Sequence, residues 1–117
     1  MEERILILDA DKKQCLELCA VLKKQDYHAT PVDSLTHLEK NIFENDCQVL
    51  VVDLDTVQFD KKLFGNLKKT KPGLSILGLS NRPFHPELEE AMSRHIFACL
   101  NKPVDEDELI FFLKSLR

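Results

Sequence analysis

Val49-Leu50-Val51-Val52-Asp53 is a run of four apolar residues closed by a carboxylate. Three of the four are β-branched, the run is too short for a helix, and no polar residue alternates within it. These features predict a strand buried on both faces. Ile5-Leu6-Ile7-Leu8-Asp9 repeats the pattern upstream, and Ile76–Leu79 and Ile96–Leu100 are weaker versions. A fifth candidate strand lies between Tyr27 and Val32 and contains Pro31. Proline has no N–H for a ladder, so that strand belongs at a sheet edge.

Amphipathic stretches separate these runs. Cys15, Leu18, Cys19 and Leu22 recur at helical spacing, and Asp11 followed by Gln14 resembles a capping box. Leu35, Leu38 and Ile42 mark a second helix, capped by Asp33 or Ser34. Leu63, Phe64 and Leu67 mark a third, ended near Pro72-Gly73, and Pro86, Leu88, Ala91 and Met92 a short fourth. In the fifth, Asp105 is the cap, Glu108 sits three residues on, and Leu109, Phe112, Leu113 and Leu116 form the inward stripe. Strand–helix alternation repeated five times predicts an α/β fold: a doubly wound (βα)5 three-layer sandwich around a parallel sheet. The 117 residues suffice for one domain spanning 1–117 and not for two.

Composition narrows the function classes. A net charge of −4, with lysine pairs scattered at 12–13, 23–24, 61–62 and 68–69, lacks the concentrated basic face of a nucleic-acid binder. No apolar stretch reaches the roughly 18 residues of a membrane span, and the apolar run near the N-terminus is too short for a signal core. A cytoplasmic protein is the expectation. The four cysteines form no CxxC pair; Cys15 and Cys19 share a helix face and read as apolar core residues. His28, His37, His85 and His95 show no ligand spacing.

In parallel sheets functional groups gather at the carboxyl ends of the strands. The residues closing the strands here are Asp9, Asp53 with Asp55 two further on, Ser80, and Lys102-Pro103. Carboxylates that converge repel unless a cation intervenes, and a hard ion such as Mg²⁺ takes oxygen ligands. A lysine and a hydroxyl beside them would complete a site for a phosphoryl group, with one carboxylate as its acceptor.

Over nearly its whole length the sequence resembles the receiver domains of two-component response regulators, which have a flavodoxin-like fold. Ile5–Asp9 resembles the first strand of that family and Val49–Asp53 its acceptor strand. Ile76-Leu77-Gly78-Leu79-Ser80 resembles the strand that ends in Thr or Ser. Leu100-Asn101-Lys102-Pro103 with Asp105–Leu109 resembles the Lys-Pro step and last helix. The resemblance implies strand order 2-1-3-4-5, and phosphorylation of Asp53 by a histidine kinase or phosphotransfer protein. It further implies Mg²⁺ held by Asp9, Asp53 and the Asp55 backbone carbonyl. Lys102 would pair with the phosphate across a cis peptide to Pro103, and Ser80 would move toward it. Such a module is not an enzyme in its own right.

Three positions depart from the family. The second acid after the first strand is Ala10, which predicts weak Mg²⁺ binding; Asp11 is a weak substitute ligand, with helix capping as its competing role. Cys99 stands where the switch aromatic is expected, and the loop after Asp53 reads Leu54-Asp55-Thr56-Val57 without the usual proline. Two other readings follow. One is a degenerate receiver acting as a phosphorylation-independent interaction module. The other is a haloacid dehalogenase-like phosphatase, because Asp53-Leu54-Asp55-Thr56-Val57 matches its nucleophile motif and Leu79-Ser80-Asn81 resembles its second motif. Those enzymes place the nucleophile on their first strand and need a further acidic motif on a strand after the lysine, which disfavours that reading. Ile110 and Phe111 lie beside the stripe of the last helix. With the fourth helix and fifth strand they form the face this family uses for dimerisation or output, and no membrane or direct nucleic-acid partner is expected.

Overall fold

The computed structural model describes residues 4–32, 35–57, 62–82 and 94–116. Along the chain these form β1 (Arg4–Leu8), α1 (Lys12–Lys24), β2 (His28–Val32), a short 3₁₀ turn (Leu35–His37) and α2 (Leu38–Glu44). Then follow β3 (Val49–Asp53), α3 (Leu63–Thr70), β4 (Ser75–Ser80), β5 (Ala98–Asn101) and the last helix, α4 (Glu106–Ser115). The expected helix around Pro86, Leu88, Ala91 and Met92, and the expected caps Asp33 and Ser34, lie outside the described residues.

All strand pairs are parallel and the order is β2-β1-β3-β4-β5, as the strand–helix alternation and the family resemblance imply. The Pro31 strand is an edge, where a missing N–H is tolerated. Because side chains alternate across the sheet, each central strand feeds two cores. Leu6, Leu8, Leu50, Val52 and Ile76 pack with Leu38 and Ile42 of α2 and Phe64 and Leu67 of α3. Ile5, Ile7, Val49, Val51, Leu77 and Leu79 pack on the opposite side with Cys15, Leu18, Cys19 and Leu22 of α1 and Leu109 and Leu113 of α4. The continuous apolar strands thus reflect a sheet covered on both faces.

Two boundaries differ from the sequence reading in a way that affects the strand ends. β3 and β4 include Asp53 and Ser80, because Asp53 still pairs with Leu79 and the Leu54 N–H donates to the Leu79 carbonyl at 2.9 Å. Both polar side chains are therefore anchored to the ladder and do not sit on free turns. β5 begins at Ala98, two residues later than the apolar run suggests, while Ile96 is buried in the core before it. On α4, Leu109 and Leu113 are buried, whereas Phe112 and Leu116 only pack partly against the core.

Burial pushes the Cys15 thiol up to about 12, with Cys19 beside it as a second cause. Both cysteines are buried on α1. They are neutral core thiols, in keeping with the apolar reading. Among the described residues no helix is long and apolar enough to cross a membrane.

Candidate functional site

β1 and β3 are neighbours at the point where the strand order reverses, so their carboxyl ends open onto one crevice. Asp9 closes β1, Asp53 ends β3, Ser80 ends β4 and Lys102 follows β5. Asp9 and Asp53 are 0% exposed and Ser80 is 1% exposed. Burying carboxylates this completely requires partners for every oxygen.

Asp53 has them. Its Oδ1 accepts from the Asp55 N–H at 2.8 Å, the Thr56 N–H at 3.2 Å and Lys102 Nζ at 3.1 Å. Its Oδ2 accepts from Lys102 Nζ at 2.8 Å and from Gln14 Nε2 at 2.6 Å. The same Gln14 Nε2 donates to Asp9 Oδ2, so one amide group spans the two carboxylates. Asp9 Oδ1 accepts from the Asp11 N–H at 2.9 Å and from Thr56 Oγ1 at 3.1 Å, and Thr56 Oγ1 in turn accepts from the Ala10 N–H at 3.2 Å.

Asp55 forms the other wall. Its Oδ2 lies 3.0 Å from Lys102 Nζ and accepts from the Asn81 N–H at 2.7 Å. Ser80 Oγ lies 3.1 Å from both Asp55 Oδ1 and the Arg82 carbonyl, and accepts from the Arg82 N–H at 2.9 Å. A hydroxyl has a single proton, so it serves one of the two acceptors at a time. Burial alone would raise the Asp55 carboxyl, but the Asn81 N–H, Lys102 and Ser80 outweigh it and hold it below its usual range. For Lys102, burial favours the neutral amine. Hydrogen bonds and attraction from Asp53 and Asp55 prevail and raise its value instead. The Lys102–Pro103 peptide is cis, as the resemblance implies.

Asp9, Asp53, Ser80 and Lys102 therefore lie in one connected cluster, joined by Asp55. Asp11 does not join them, because its Oδ1 accepts from the Gln14 N–H at 3.2 Å and caps α1. The capping box is only half formed, because the Gln14 side chain reaches into the pocket and not back to the cap. Cys99 is exposed on the edge strand β5, with its sulfur 3.5 Å from where a Cβ on Gly78 would stand. Burial of its sulfur, then the nearby Asp55 charge, raises its thiol. Two members of the cluster, Gln14 and Thr56, are not marked as site residues by the sequence. The Asp11–Gln14 spacing signals a helix start, and nothing in it shows the amide turning under the strand. Thr56 is visible in the sequence only as part of the loop after Asp53.

Whether these residues suit Mg²⁺ depends on the donor set. Mg²⁺ needs oxygen ligands in near-octahedral geometry. Asp9 and Asp53 supply carboxylates, but a carboxamide N–H donor stands between them, Ala10 supplies none, and the Asp55 carboxylate is committed to Lys102, Ser80 and Asn81. Among the described residues no group of three or more His, Cys, Asp or Glu is arranged for a metal. As arranged, the pocket does not fit the ion without movement of Gln14.

No family model and no curated protein matches the chain in sequence. Solved structures do match in fold. The signal receiver domain of an HD domain-containing protein from Pseudomonas fluorescens superposes with TM-score 0.87 at 19% identity, covering 99% of this chain and 94% of that one. A CheY-like response regulator receiver domain protein from Methanospirillum hungatei gives TM-score 0.86 at 17% identity, covering 98% and 93%. A two-component response regulator from Clostridium difficile gives TM-score 0.86 at 18% identity, covering 98% and 95%. The haloacid dehalogenase-like reading loses further ground, since Asp53 closes the third strand in sequence and no strand follows Lys102 among the described residues. By architecture the chain has the fold of a response-regulator receiver domain.

Proposed function

We propose that the chain is a phosphorylation-switched receiver module of a two-component system, with Asp53 as its phosphoacceptor. The observation that carries this reading is the Asp53–Lys102 pair, buried at the carboxyl end of the central strand with the Ser80 hydroxyl on the next one. In the proposed reaction an Asp53 carboxylate oxygen attacks the phosphorus of a phosphohistidine on a kinase or phosphotransfer protein. The P–N bond breaks, and the imidazole leaves as it takes up a proton. Lys102, already 2.8 Å from Oδ2, offsets the charge that gathers on the phosphoryl oxygens. Ser80 re-aims its single proton from Asp55 or the Arg82 carbonyl toward one of them.

The test is incubation with a small acyl phosphate donor and Mg²⁺, followed by intact mass measurement. One added phosphoryl group is expected on the wild-type chain and none on Asp53→Asn. The second reading, a phosphorylation-independent interaction module, draws support from the saturated hydrogen bonding of Asp53. An unmodified wild-type chain with an intact fold would decide for it.

The partner face is part of the same proposal. Phe111 is 64% and Phe97 54% exposed. Phe112 packs edge-on against both, at centroid distances of 5.6 Å and 6.3 Å. Ile110, named with Phe111 for this face, packs partly against the core. We assign this aromatic ridge to contact with a second copy of the chain. Sedimentation is expected to show self-association that Phe111→Glu abolishes without changing the circular dichroism spectrum. A wild-type chain that stays monomeric at every concentration would remove the ridge from the proposal.

A further inference from the structure

We infer that Gln14 is a latch on the acidic pocket: its amide holds Asp9 and Asp53 together in the position a divalent cation needs, so cation binding requires this side chain to swing out. Asp9 and Asp53 are both fully buried, and two such carboxylates need a positive or donating partner between them. Lys102 reaches Asp53 and Asp55. The donors to Asp9 are the Asp11 N–H, Thr56 Oγ1 and Gln14 Nε2, none of which carries a charge. A primary amide has two N–H groups, and Gln14 Nε2 contacts one oxygen of each carboxylate. It therefore bridges the pair as a cation would, without the charge.

The amide nitrogen is a donor and cannot serve as a ligand to a hard cation. An ion that touches both carboxylates must displace it, and with it part of the cover over Asp53 Oδ2. The hinge is local. The Gln14 backbone is fixed in the first turn of α1 by the Asp11 cap at 3.2 Å, while the side chain is long, unbranched and half-buried. Ala10 fits the same arrangement, since a second acid there would add a negative charge that a neutral latch could not offset.

A Mg²⁺ titration of the wild-type chain and Gln14→Ala, followed by amide chemical shifts at Ala10, Asp53 and Asp55 with no phosphodonor present, tests the latch. Gln14→Ala is expected to bind Mg²⁺ at least about tenfold more tightly, what one charge-assisted hydrogen bond is worth. In the wild-type chain the Gln14 side-chain amide signals are expected to move to solvent-exposed positions as the ion binds. That readout stands even if the variant does not fold. Equal or weaker Mg²⁺ affinity in a folded Gln14→Ala overturns the latch. So do Gln14 amide signals that stay in place while Asp53 responds. Only the consequence for phosphorylation, faster labelling of Gln14→Ala at low Mg²⁺, rests on the phosphoacceptor reading. Tight Mg²⁺ binding by a variant whose Asp53 is never labelled would uphold the latch and defeat that reading.

Discussion

Lys102→Met is expected to lower the stability of the fold by about 3 kcal/mol at neutral pH, the lower end of the cost of breaking a buried ion pair from one side. Methionine keeps the length and apolar stem of the side chain and removes only the ammonium. What remains is an Asp53 carboxylate that is 0% exposed and has lost contacts of 2.8 and 3.1 Å, beside an Asp55 carboxylate that has lost one of 3.0 Å. The Lys102 side chain is itself only 9% exposed, so solvent screens little of the interaction. Urea unfolding with an unchanged m value measures the loss. A deficit below about 1 kcal/mol would put the pair in the class of surface ion pairs and contradict its burial.

The pH dependence of that deficit follows from the direction of each shift. Asp55 is held below its ordinary carboxylate value in the folded chain. The stability it contributes is therefore fully present above that ordinary value and is lost as pH falls through the folded one. Lys102 is raised, so its contribution is fully present below the ordinary lysine value of 10.5 and is lost as pH rises through the folded value. The gap between wild type and Lys102→Met is thus widest between the two limits. It narrows in acid, where the wild-type chain loses the Asp55 charge that Lys102 pairs with. A gap that stayed constant from neutral pH down to about pH 3, below the ordinary carboxylate range, would contradict the pairing.

Phe64→Ala is expected to cost about 4 kcal/mol, in the range for emptying a buried aromatic site. Phe64 sits in α3, is 0% exposed, and belongs to the core that Leu50, Val52 and Ile76 form with Leu38, Ile42 and Leu67. Strands and helices surround the ring, so the space it leaves can collapse only in part. For a domain whose whole stability is of order 5–15 kcal/mol, a loss of this size brings a substantial unfolded population within reach of mild denaturant. Phe43, 55% exposed on α2, is the control. Its alanine variant should stay within about 0.5 kcal/mol of wild type. Equal costs at the two positions would mean that the core face of α3 is not as described.

The aspartates that close β1 and β3 could be located from the sequence because a strand buried on both faces tolerates few polar residues along its length. Asp9 and Asp53 therefore mark where the apolar runs Ile5–Leu8 and Val49–Val52 stop. Parallel order then places such ends at one edge of the sheet, so the meeting of Asp9, Asp53, Ser80 and Lys102 follows from period, alternation and handedness. What those rules leave open is the direction of a side chain. Gln14 satisfies a local helix-start pattern whether its amide turns back to the cap or under β1, and the Asp9 and Asp53 carboxylates, the latter 39 residues away in sequence, select the second. In the same way Asp55 joins Ser80 and Lys102 through contacts across the sheet that its own neighbours do not encode. Local pattern determined the strands, their ends to within a residue or two, and the identity of the acids. The backbone donors to those acids come from the adjoining loops. Only the tertiary structure decided that the Gln14, Thr56 and Lys102 side chains complete the set, because side-chain partners in a buried pocket are set by distance in space and not along the chain.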